Sequence, residues 1–291
     1  MKYEEKRLNT LDAQGVQEGN KKWWSAHTMS YDWKGKSGLV EFTPPWFEDI
    51  DRRFLHAARL FTGAPNPFEE LMAINQVPGL RVLEVGCGMG FHSEMLARAG
   101  ADLSAVDLSS RSVTATMKRL EQKKLKADVR QMDAEALDFP SGSFDMVWSW
   151  GVIHHSSRTG RIVREIERVL RPGGNARIMV YNLEGMPAYI TLVTRYLVGF
   201  WRGQSLDELL WRSTDGFSAR FYSKDSLSDL LATFFDQVET MVLGQDPDVV
   251  PLPQFLRRQF LRFVSLSRQR AVVRTRGAYL FAIACKGMSR E

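Results

Sequence analysis

The sequence is poor in cysteine and has no long apolar run, and each shortage excludes a class of protein. Cys87 and Cys285 are the only two cysteines among 291 residues. They lie too far apart to suggest a disulfide framework, and neither stands in a C-x-x-C spacing, so we expect a reducing compartment and no metal. A membrane span needs about 20 apolar residues, whereas the longest apolar run, residues 188–201, is shorter and contains Arg195.

The first residues lack the apolar segment of a secretory signal, so we expect a cytoplasmic protein. Hydrophobic residues make up 44% of the chain and charged residues 25%, which is ordinary for a globular protein with one large core. The net charge of +5 is local, because nine basic residues and one acidic residue lie from Pro251 onward. A basic excess confined to one segment does not indicate a nucleic-acid partner.

Strand-like and helix-like segments alternate from residue 80 onward, with short apolar strands separated by helical periods. This alternation predicts an α/β fold with a doubly wound, mostly parallel sheet. The predicted strands are residues 81–86, 102–109, 128–134, 144–150, 176–182, 237–244 and 277–287.

The regions around this alternation predict how the chain is divided. A polar and aromatic N-terminal arm precedes the core, and it either anchors itself on the core or acts as a lid over the cleft. A helical cap interrupts the alternation, and a basic helical insertion, residues 251–276, lies between the last two strands. The expected parts are the arm at 1–45, the core at 46–182, the cap at 183–222 and the C-terminal part of the sheet at 223–291.

The stretch VLEVGCGMGFH, residues 82–92, describes a buried strand that runs into a glycine-dense turn. Gly86, Gly88 and Gly90 allow the backbone to pass close to a ligand, because glycine has no Cβ. A dinucleotide fingerprint requires a third glycine where Phe91 stands, and a P-loop requires a lysine that this turn lacks. Phe91 therefore disfavours a nicotinamide oxidoreductase, and the ligand need not be an anion.

Acidic residues lie at the ends of three successive predicted strands. Glu84 belongs to the first strand, Asp107 ends the second and Asp133 ends the third. An acid at the position of Asp107 typically accepts hydrogen bonds from ribose hydroxyls, and Asp133 is placed to accept one from an adenine amino group. Together these acids predict a pocket for a nucleoside that carries positive charge.

Residues 80–182 resemble the class I S-adenosylmethionine-dependent methyltransferases, with a methyltransferase type 11-like domain. The resemblance is carried by five motifs in the correct order, within the segments VLEVGCGMG, AVDLS, QMDAEALDFPSGSFDMVWSWGVIHH and EIERVLRPGG. It implies a Rossmann-like sheet of seven strands in the order 3-2-1-4-5-7-6, with the seventh strand antiparallel, and S-adenosyl-L-methionine as the cofactor. The cofactor-binding residues that we expect are Glu84, Gly86, Cys87, Gly88, Gly90, Asp107, Leu108, Asp133, Ala134, Trp148 and Trp150.

Methyl transfer requires a general base only when the acceptor is a weak hydroxyl or an acidic carbon. The candidates are His154 and His155, which follow the fourth strand, and Tyr31 in the arm. His155 has an alternative role as a structural hydrogen-bonding histidine. Trp148 and Trp150 either face the sulfonium, for a cation–π gain of about 0.5–2 kcal/mol, or pack within the strand.

We therefore predict a methyltransferase that acts on a small-molecule, sugar or lipid-linked acceptor, with oxygen as the favoured atom. The alternatives are an RNA or protein methyltransferase, a biosynthetic C- or N-methyltransferase, and a non-catalytic binding module. The N-P-P-Y type signature of enzymes that methylate base amino groups is absent, since that place reads WSWGVIHH. Residues 252–270 form a basic amphipathic segment, which suits the inner face of a membrane or a phosphate-bearing acceptor, or packs on the core.

Overall fold

The computed structural model describes residues 12–27, 29, 38–203, 205–211 and 214–288. Eight strands within these residues form one sheet in the order β3-β2-β1-β4-β5-β8-β7, and β6 pairs with β5 at its end. The strands are β1 (Arg81–Val85), β2 (Asp102–Asp107), β3 (Asp128–Gln131), β4 (Phe144–Trp150), β5 (Leu170–Asn182), β6 (Phe221–Tyr222), β7 (Gln237–Leu243) and β8 (Tyr279–Cys285).

The predicted strand order is confirmed, because β7 and β8 are the sixth and seventh strands once the two-residue β6 is set aside. The pairs among β1, β2, β3, β4 and β5 are parallel, whereas β8 runs antiparallel to both β5 and β7. The α/β fold class with a mostly parallel sheet is therefore correct. Parallel strands place their carboxyl ends at one edge of the sheet, where ligands bind in this class of fold.

Helices cover both faces of the sheet, as a doubly wound fold requires. Alternate residues of β1 enter opposite layers: Leu83 packs with the apolar sides of α6 and α9, and Val82 packs with those of α2, α3 and α4. The helices are α1 (Ala13–Ala26), α2 (Pro44–Ala58), α3 (Pro67–Leu71), α4 (Phe91–Arg98), α5 (Ser110–Gln122), α6 (Thr159–Val169), α7 (Met186–Trp201), α8 (Leu206–Trp211), α9 (Lys224–Ala232), α10 (Asp246–Val249), α11 (Gln254–Leu261) and α12 (Leu266–Arg276).

Two local features differ from the sequence-based expectations. The fifth strand begins at Leu170 instead of residue 176, because the segment after α6 pairs with β4 through a register shift. The basic insertion is two helices, α11 and α12, since Ser265 interrupts it and caps α12 by accepting a hydrogen bond from the Arg268 amide at 3.4 Å. In the part of the chain that the structure describes, no helix has the length and apolar character needed to cross a membrane.

Candidate active site

A cavity of about 1320 Å³ opens at the carboxyl-terminal edge of the sheet. Gly86, Asp107 and Trp150, at the ends of β1, β2 and β4, contribute to its wall. Helix α1 of the arm, helix α2 and helix α11 of the basic insertion form other sides. Ligand pockets commonly measure about 300–1,000 Å³, so this space is large enough for two small molecules side by side.

The glycine turn after β1 requires glycine for two different reasons. Gly86 has φ 83°, and a Cβ there would lie 2.1 Å from Cγ2 of Val152, so the backbone has no room for a side chain. Gly88 has φ 53°, and a Cβ there would meet no atom within 4 Å. Because Gly88 lies on the cavity wall, its open face is available for close contact with a ligand.

Asp107 is fixed at the end of β2 by backbone donors. Its carboxylate accepts hydrogen bonds from the Gly88 amide at 3.0 Å and the Ser109 amide at 2.8 Å, and burial raises its pKa. The carboxylate therefore joins the glycine turn to the next strand and lies on the cavity wall beside Leu108. This arrangement can accept hydrogen bonds from the vicinal hydroxyls of a ribose.

Asp133, which follows β3, lies on the same wall beside Ala134. Its carboxylate accepts hydrogen bonds from Nε2 of Gln17 at 2.9 Å and from the Glu135 amide at 2.9 Å. Gln17 belongs to α1, so the arm reaches the third of the three strand ends. No pattern in the sequence indicated this long-range contact.

Glu84 is almost completely buried behind the glycine turn and does not line the cavity. It accepts a hydrogen bond from the Ser93 hydroxyl, and burial raises its pKa to about 8, so the carboxyl is mostly protonated near neutral pH. The neighbouring His92 lies 3.7 Å away, and burial lowers its pKa to about 3. Gly90 is also off the cavity wall, since it is the N-cap of α4 and lies against Thr116.

The two tryptophans of β4 have different surroundings although they are stacked on each other, with ring centroids 5.7 Å apart. Trp148 is fully buried and packs against His92 and Phe281, away from the cavity. Trp150 lies one step nearer the strand end and forms part of the cavity wall. Of the pair, only Trp150 has a ring available to a ligand.

The two histidines after β4 also separate. Nδ1 of His155 lies 2.6 Å from the carbonyl oxygen of Ser218. A carbonyl only accepts hydrogen bonds, so Nδ1 carries the proton and Nε2 keeps its lone pair. His155 lies on the cavity wall, and burial lowers its pKa to about 4, so its ring is neutral at pH 7.

His154 is fully buried, and neither of its ring nitrogens has a hydrogen-bond partner. Burial lowers its pKa well below the ordinary value. Its ring lies against that of Tyr181, with centroids 4.1 Å apart, and it does not reach the cavity wall. Tyr31, the third predicted catalytic residue, lies outside the described residues.

Tyr181 and Asp215 are among the titratable residues of the cavity wall that were not expected from the sequence. Tyr181 lies near the end of β5, and burial raises its pKa; Asp215 lies between α8 and β6, where burial also raises the pKa. Tyr181 could have been predicted from the sequence, because it lies near the carboxyl end of the strand beside β4. Asp215 carries no local motif.

Four aromatic rings that contact one another line the cavity. The centroid of Phe61 lies 5.6 Å from that of Trp150 and 5.9 Å from that of Tyr279, and the ring of Tyr279 lies 6.2 Å from that of Tyr181. All four residues belong to the wall. A flat or apolar molecule would find a continuous surface here.

The charges around the turn suit a cationic nucleoside better than a phosphate. Asp107 and Asp133 are the acids at the strand ends, whereas the arginines of the described cavity wall come from α2, α11 and the residues that end them. Gly88 adds the close-approach surface described above. These residues fit the nucleoside and methionine parts of S-adenosylmethionine.

Comparisons with known proteins agree with this geometry. Residues 82–174 match a family model described as a methyltransferase domain. The ubiquinone biosynthesis O-methyltransferase of Cereibacter sphaeroides is 28% identical over 210 residues, which cover 72% of this chain and 75% of that relative. The protein of the same name from Methylococcus capsulatus is 30% identical over 149 residues, which cover 51% of this chain and 60% of that relative.

A solved structure shares the fold. The magnesium protoporphyrin IX methyltransferase from Synechocystis, with bound SAH, aligns over 94% of this chain and 100% of its own, with a TM-score of 0.58 and 14% identity. At this identity the likeness concerns the arrangement of strands and helices.

Proposed function

We propose that this chain, which is a class I S-adenosylmethionine-dependent methyltransferase, methylates a hydroxyl group on a small aromatic acceptor. The observation that carries the proposal is the neutral His155, whose Nδ1 is bound to Ser218 and whose ring lies on the cavity wall. The aromatic wall beside it favours a flat acceptor. The relatives named above are O-methyltransferases, which also favours oxygen as the methylated atom.

S-adenosylmethionine, when bound, supplies an electrophilic methyl group on a positively charged sulfur. We assign the ribose to Asp107 with Leu108, the adenine to Asp133 with Ala134, and the methionine part to the turn of Gly86, Cys87 and Gly88. Trp150 offers a ring face to the positive charge, for a gain of about 0.5–2 kcal/mol. Glu84 and Gly90 support the turn from behind, and Trp148 supports the Trp150 ring.

His155 would act on the acceptor hydroxyl. With Nδ1–H held by Ser218, Nε2 accepts a hydrogen bond from that hydroxyl and aims the oxygen lone pair at the methyl carbon. As the new oxygen–carbon bond forms and the sulfur–methyl bond breaks with its electron pair left on sulfur, the hydroxyl proton would pass to Nε2. A ring with a pKa of about 4 is a weak base before the reaction. The proton would therefore move late in the methyl transfer, when the hydroxyl oxygen has become strongly acidic.

Tyr181 and His154 would position this histidine and the acceptor. The Tyr181 ring contacts His154 at 4.1 Å and lies 5.7 Å from the His155 ring. His154 is a packing partner that fills the space behind both rings. We keep Tyr31 as a candidate for acceptor contact from the arm.

We propose that residues 1–45 act as a lid. Within this arm, Gln17 donates a hydrogen bond to Asp133, and Asn20 donates one to the His155 carbonyl at 2.6 Å. Trp24 packs edge-on against the His155 ring, with centroids 5.0 Å apart. Helix α1 thus contacts both the adenine end and the base, which supports a role in excluding water from the reaction.

We also propose peripheral contact between residues 252–270 and the inner face of a membrane, from which a lipid-linked acceptor could enter. Helix α11 and the turn after it expose apolar rings, with Phe255 69% and Phe263 89% exposed. Exposed rings beside arginines suit an anionic lipid surface. Co-sedimentation with phosphatidylglycerol vesicles tests this, and the double substitution Phe255→Ser and Phe263→Ser is expected to reduce binding at least tenfold.

The test of the proposed function uses methyl-labelled S-adenosylmethionine with catechol and with benzylamine. We expect the label as an oxygen-linked methyl group on catechol and none on benzylamine. The variant His155→Gln should lower the rate by about 10²–10⁴-fold, the usual contribution of a general base, while its affinity for S-adenosylhomocysteine stays unchanged. Full activity of His155→Gln would remove the histidine from the mechanism.

A further inference from the structure

We propose that the end of the cavity between α2 and α11 is an anion subsite that holds a carboxylate or phosphate group of the acceptor. This inference rests on the proposed function, because the subsite belongs to the same cavity as the reacting hydroxyl. The residues assigned to it are His56, Arg59, Arg257 and Arg258. They come from two segments far apart in sequence that meet on one wall.

Within the described chain, the basic residues of the subsite have few acidic residues nearby to balance their charge. Asp246 forms an ion pair with Arg59, and the Asp49 carboxylate is shared by Arg52 and Arg53. Asp246 therefore compensates the charge of Arg59, and Asp49 is engaged with two arginines outside the subsite, so neither acid is left for Arg257 or Arg258.

Asp248 is no substitute, because it is 1% exposed and occupied by backbone donors. Its carboxylate accepts hydrogen bonds from the Gln245 amide at 2.7 Å and the Ala278 amide at 3.1 Å. These two backbone donors hold the buried carboxylate in place. The wall therefore keeps a surplus of positive charge.

The two arginines on α11 lack ion-pair partners in the part of the chain that the structure describes. Arg257 is half-buried, and its guanidinium donates a hydrogen bond to the Leu252 carbonyl at 3.0 Å. Among the residues that the structure describes, Arg257 forms no ion pair with a carboxylate, although the buried Asp248 acts on it electrostatically, and the exposed Arg258 has neither a hydrogen bond nor an ion pair. Guanidinium groups present several donors in a plane, which matches a carboxylate or phosphate.

The like charges also act on one another. Burial lowers the pKa of His56, and Arg59 and Arg258 lower it further. Burial likewise lowers the pKa of Arg59, with an additional contribution from Arg257. A bound anion would offset the repulsion among the three arginines and would favour the protonated form of His56.

The same cavity also has an uncharged aromatic surface. Phe61, Trp150 and Tyr279 line the same cavity as the glycine turn and α11, and they carry no charge. An acceptor that fits has a hydroxyl beside His155, an apolar or aromatic body and an acidic group at α11. The subsite would fix the orientation of the acceptor and thus the position of the methylated hydroxyl.

The test measures binding of three ring compounds to the protein loaded with S-adenosylhomocysteine, by titration calorimetry. Benzoate and phenyl phosphate carry the two anionic groups, and benzyl alcohol is the neutral comparison. We expect at least one anion to bind tenfold or more tightly than benzyl alcohol, with an advantage that shrinks as salt increases. The tighter of the two identifies the group that the subsite prefers.

The matched variants are Arg257→Gln with Arg258→Gln, and Arg274→Gln with Arg276→Gln on α12. Both pairs remove two positive charges, but the exposed α12 pair does not line the cavity. The first pair should abolish the preference for anions, and the second should preserve it. Affinity for S-adenosylhomocysteine, unchanged in both, shows that the variants are folded.

Two results would overturn the subsite. One is the absence of an α11-dependent preference for anions: either the wild-type protein binds the anions and benzyl alcohol equally, or both variant pairs lose the preference to the same extent. The other is a loss of binding to phosphatidylglycerol vesicles in the α11 pair without any change for the small anions, which would assign these arginines to a membrane surface. Neither readout uses methyl transfer, so a failed catechol assay contradicts the proposed function separately.

Discussion

Alanine substitutions at two glycines of the turn should separate the stability of the fold from the binding of its ligand. Both Gly86 and Gly88 have positive φ, where a side chain costs roughly 1–2 kcal/mol. At Gly86 the new Cβ would also lie 2.1 Å from Val152, and such overpacking costs typically about 1–3 kcal/mol. Gly86→Ala should therefore lower the free energy of unfolding by roughly 2–5 kcal/mol.

Gly88→Ala should weaken ligand binding more than it lowers the stability of the fold. Its Cβ meets no protein atom within 4 Å, so the loss of stability is limited to the backbone cost of about 1–2 kcal/mol. The added methyl group occupies the surface that we assign to the cofactor, and a misfit of about 1–3 kcal/mol there corresponds to roughly 5–150-fold weaker binding.

Gly142→Ala is the matched control for backbone strain. Gly142 has φ 72°, its added Cβ would come no closer than 3.9 Å to another atom, and it does not line the cavity. Urea unfolding gives the stability of each variant, and titration calorimetry gives its affinity for S-adenosylhomocysteine. If Gly88→Ala binds this compound as tightly as Gly142→Ala does, the turn does not contact the cofactor.

Three further predictions concern the carboxylates and the arm. Asp107→Asn should weaken S-adenosylhomocysteine binding by about 100-fold in calorimetry, since hydrogen bonds to a charged group contribute about 1.5–3 kcal/mol, whereas Asp102→Asn at the exposed start of β2 should not; equal affinities would refute the ribose assignment. Deleting residues 1–45 should abolish turnover while cofactor binding persists, and normal methylation by the truncated protein would contradict the lid. Glu84→Gln should flatten the pH dependence of stability, because a carboxyl whose pKa is raised from 4.5 to about 8 binds a proton that the unfolded chain releases. The free energy of unfolding of the wild-type protein should then fall by up to about 1.4 kcal/mol for each pH unit as the pH rises between those two values. If urea unfolding gives the same pH dependence of stability for both proteins, Glu84 is not a buried, protonated carboxyl.

The glycine turn and the sheet were predictable because their signals are local. β1, β2 and β4 are rich in apolar residues, and Asp107 ends β2 while Asp133 lies two positions after β3, so topology brings both acids to one edge. The turn requires glycine in its own backbone, as the positive φ of Gly86 shows. The signals for each strand and for the turn are therefore local, although the pairing itself joins segments distant in sequence, as Val82 and Met146 show.

The acceptor side of the cavity was less accessible because it is assembled from segments distant in sequence. Gln17 reaches Asp133 across 116 positions, and α11 meets α2 from the other end of the chain. Trp148 and Trp150 also have the same spacing pattern on one strand face, yet only the position along the strand decides which ring reaches the cavity. The sequence pattern indicates a face and does not indicate depth.

We assign the cavity at the ends of β1, β2 and β3 to a sulfonium nucleoside. The most direct measurement is calorimetric titration of the purified protein with S-adenosylhomocysteine and, separately, with NADH. We expect saturable binding of S-adenosylhomocysteine, about 100-fold weaker in Asp107→Asn, and no heat of binding with NADH. Saturable binding of NADH, with none for S-adenosylhomocysteine, would contradict this assignment.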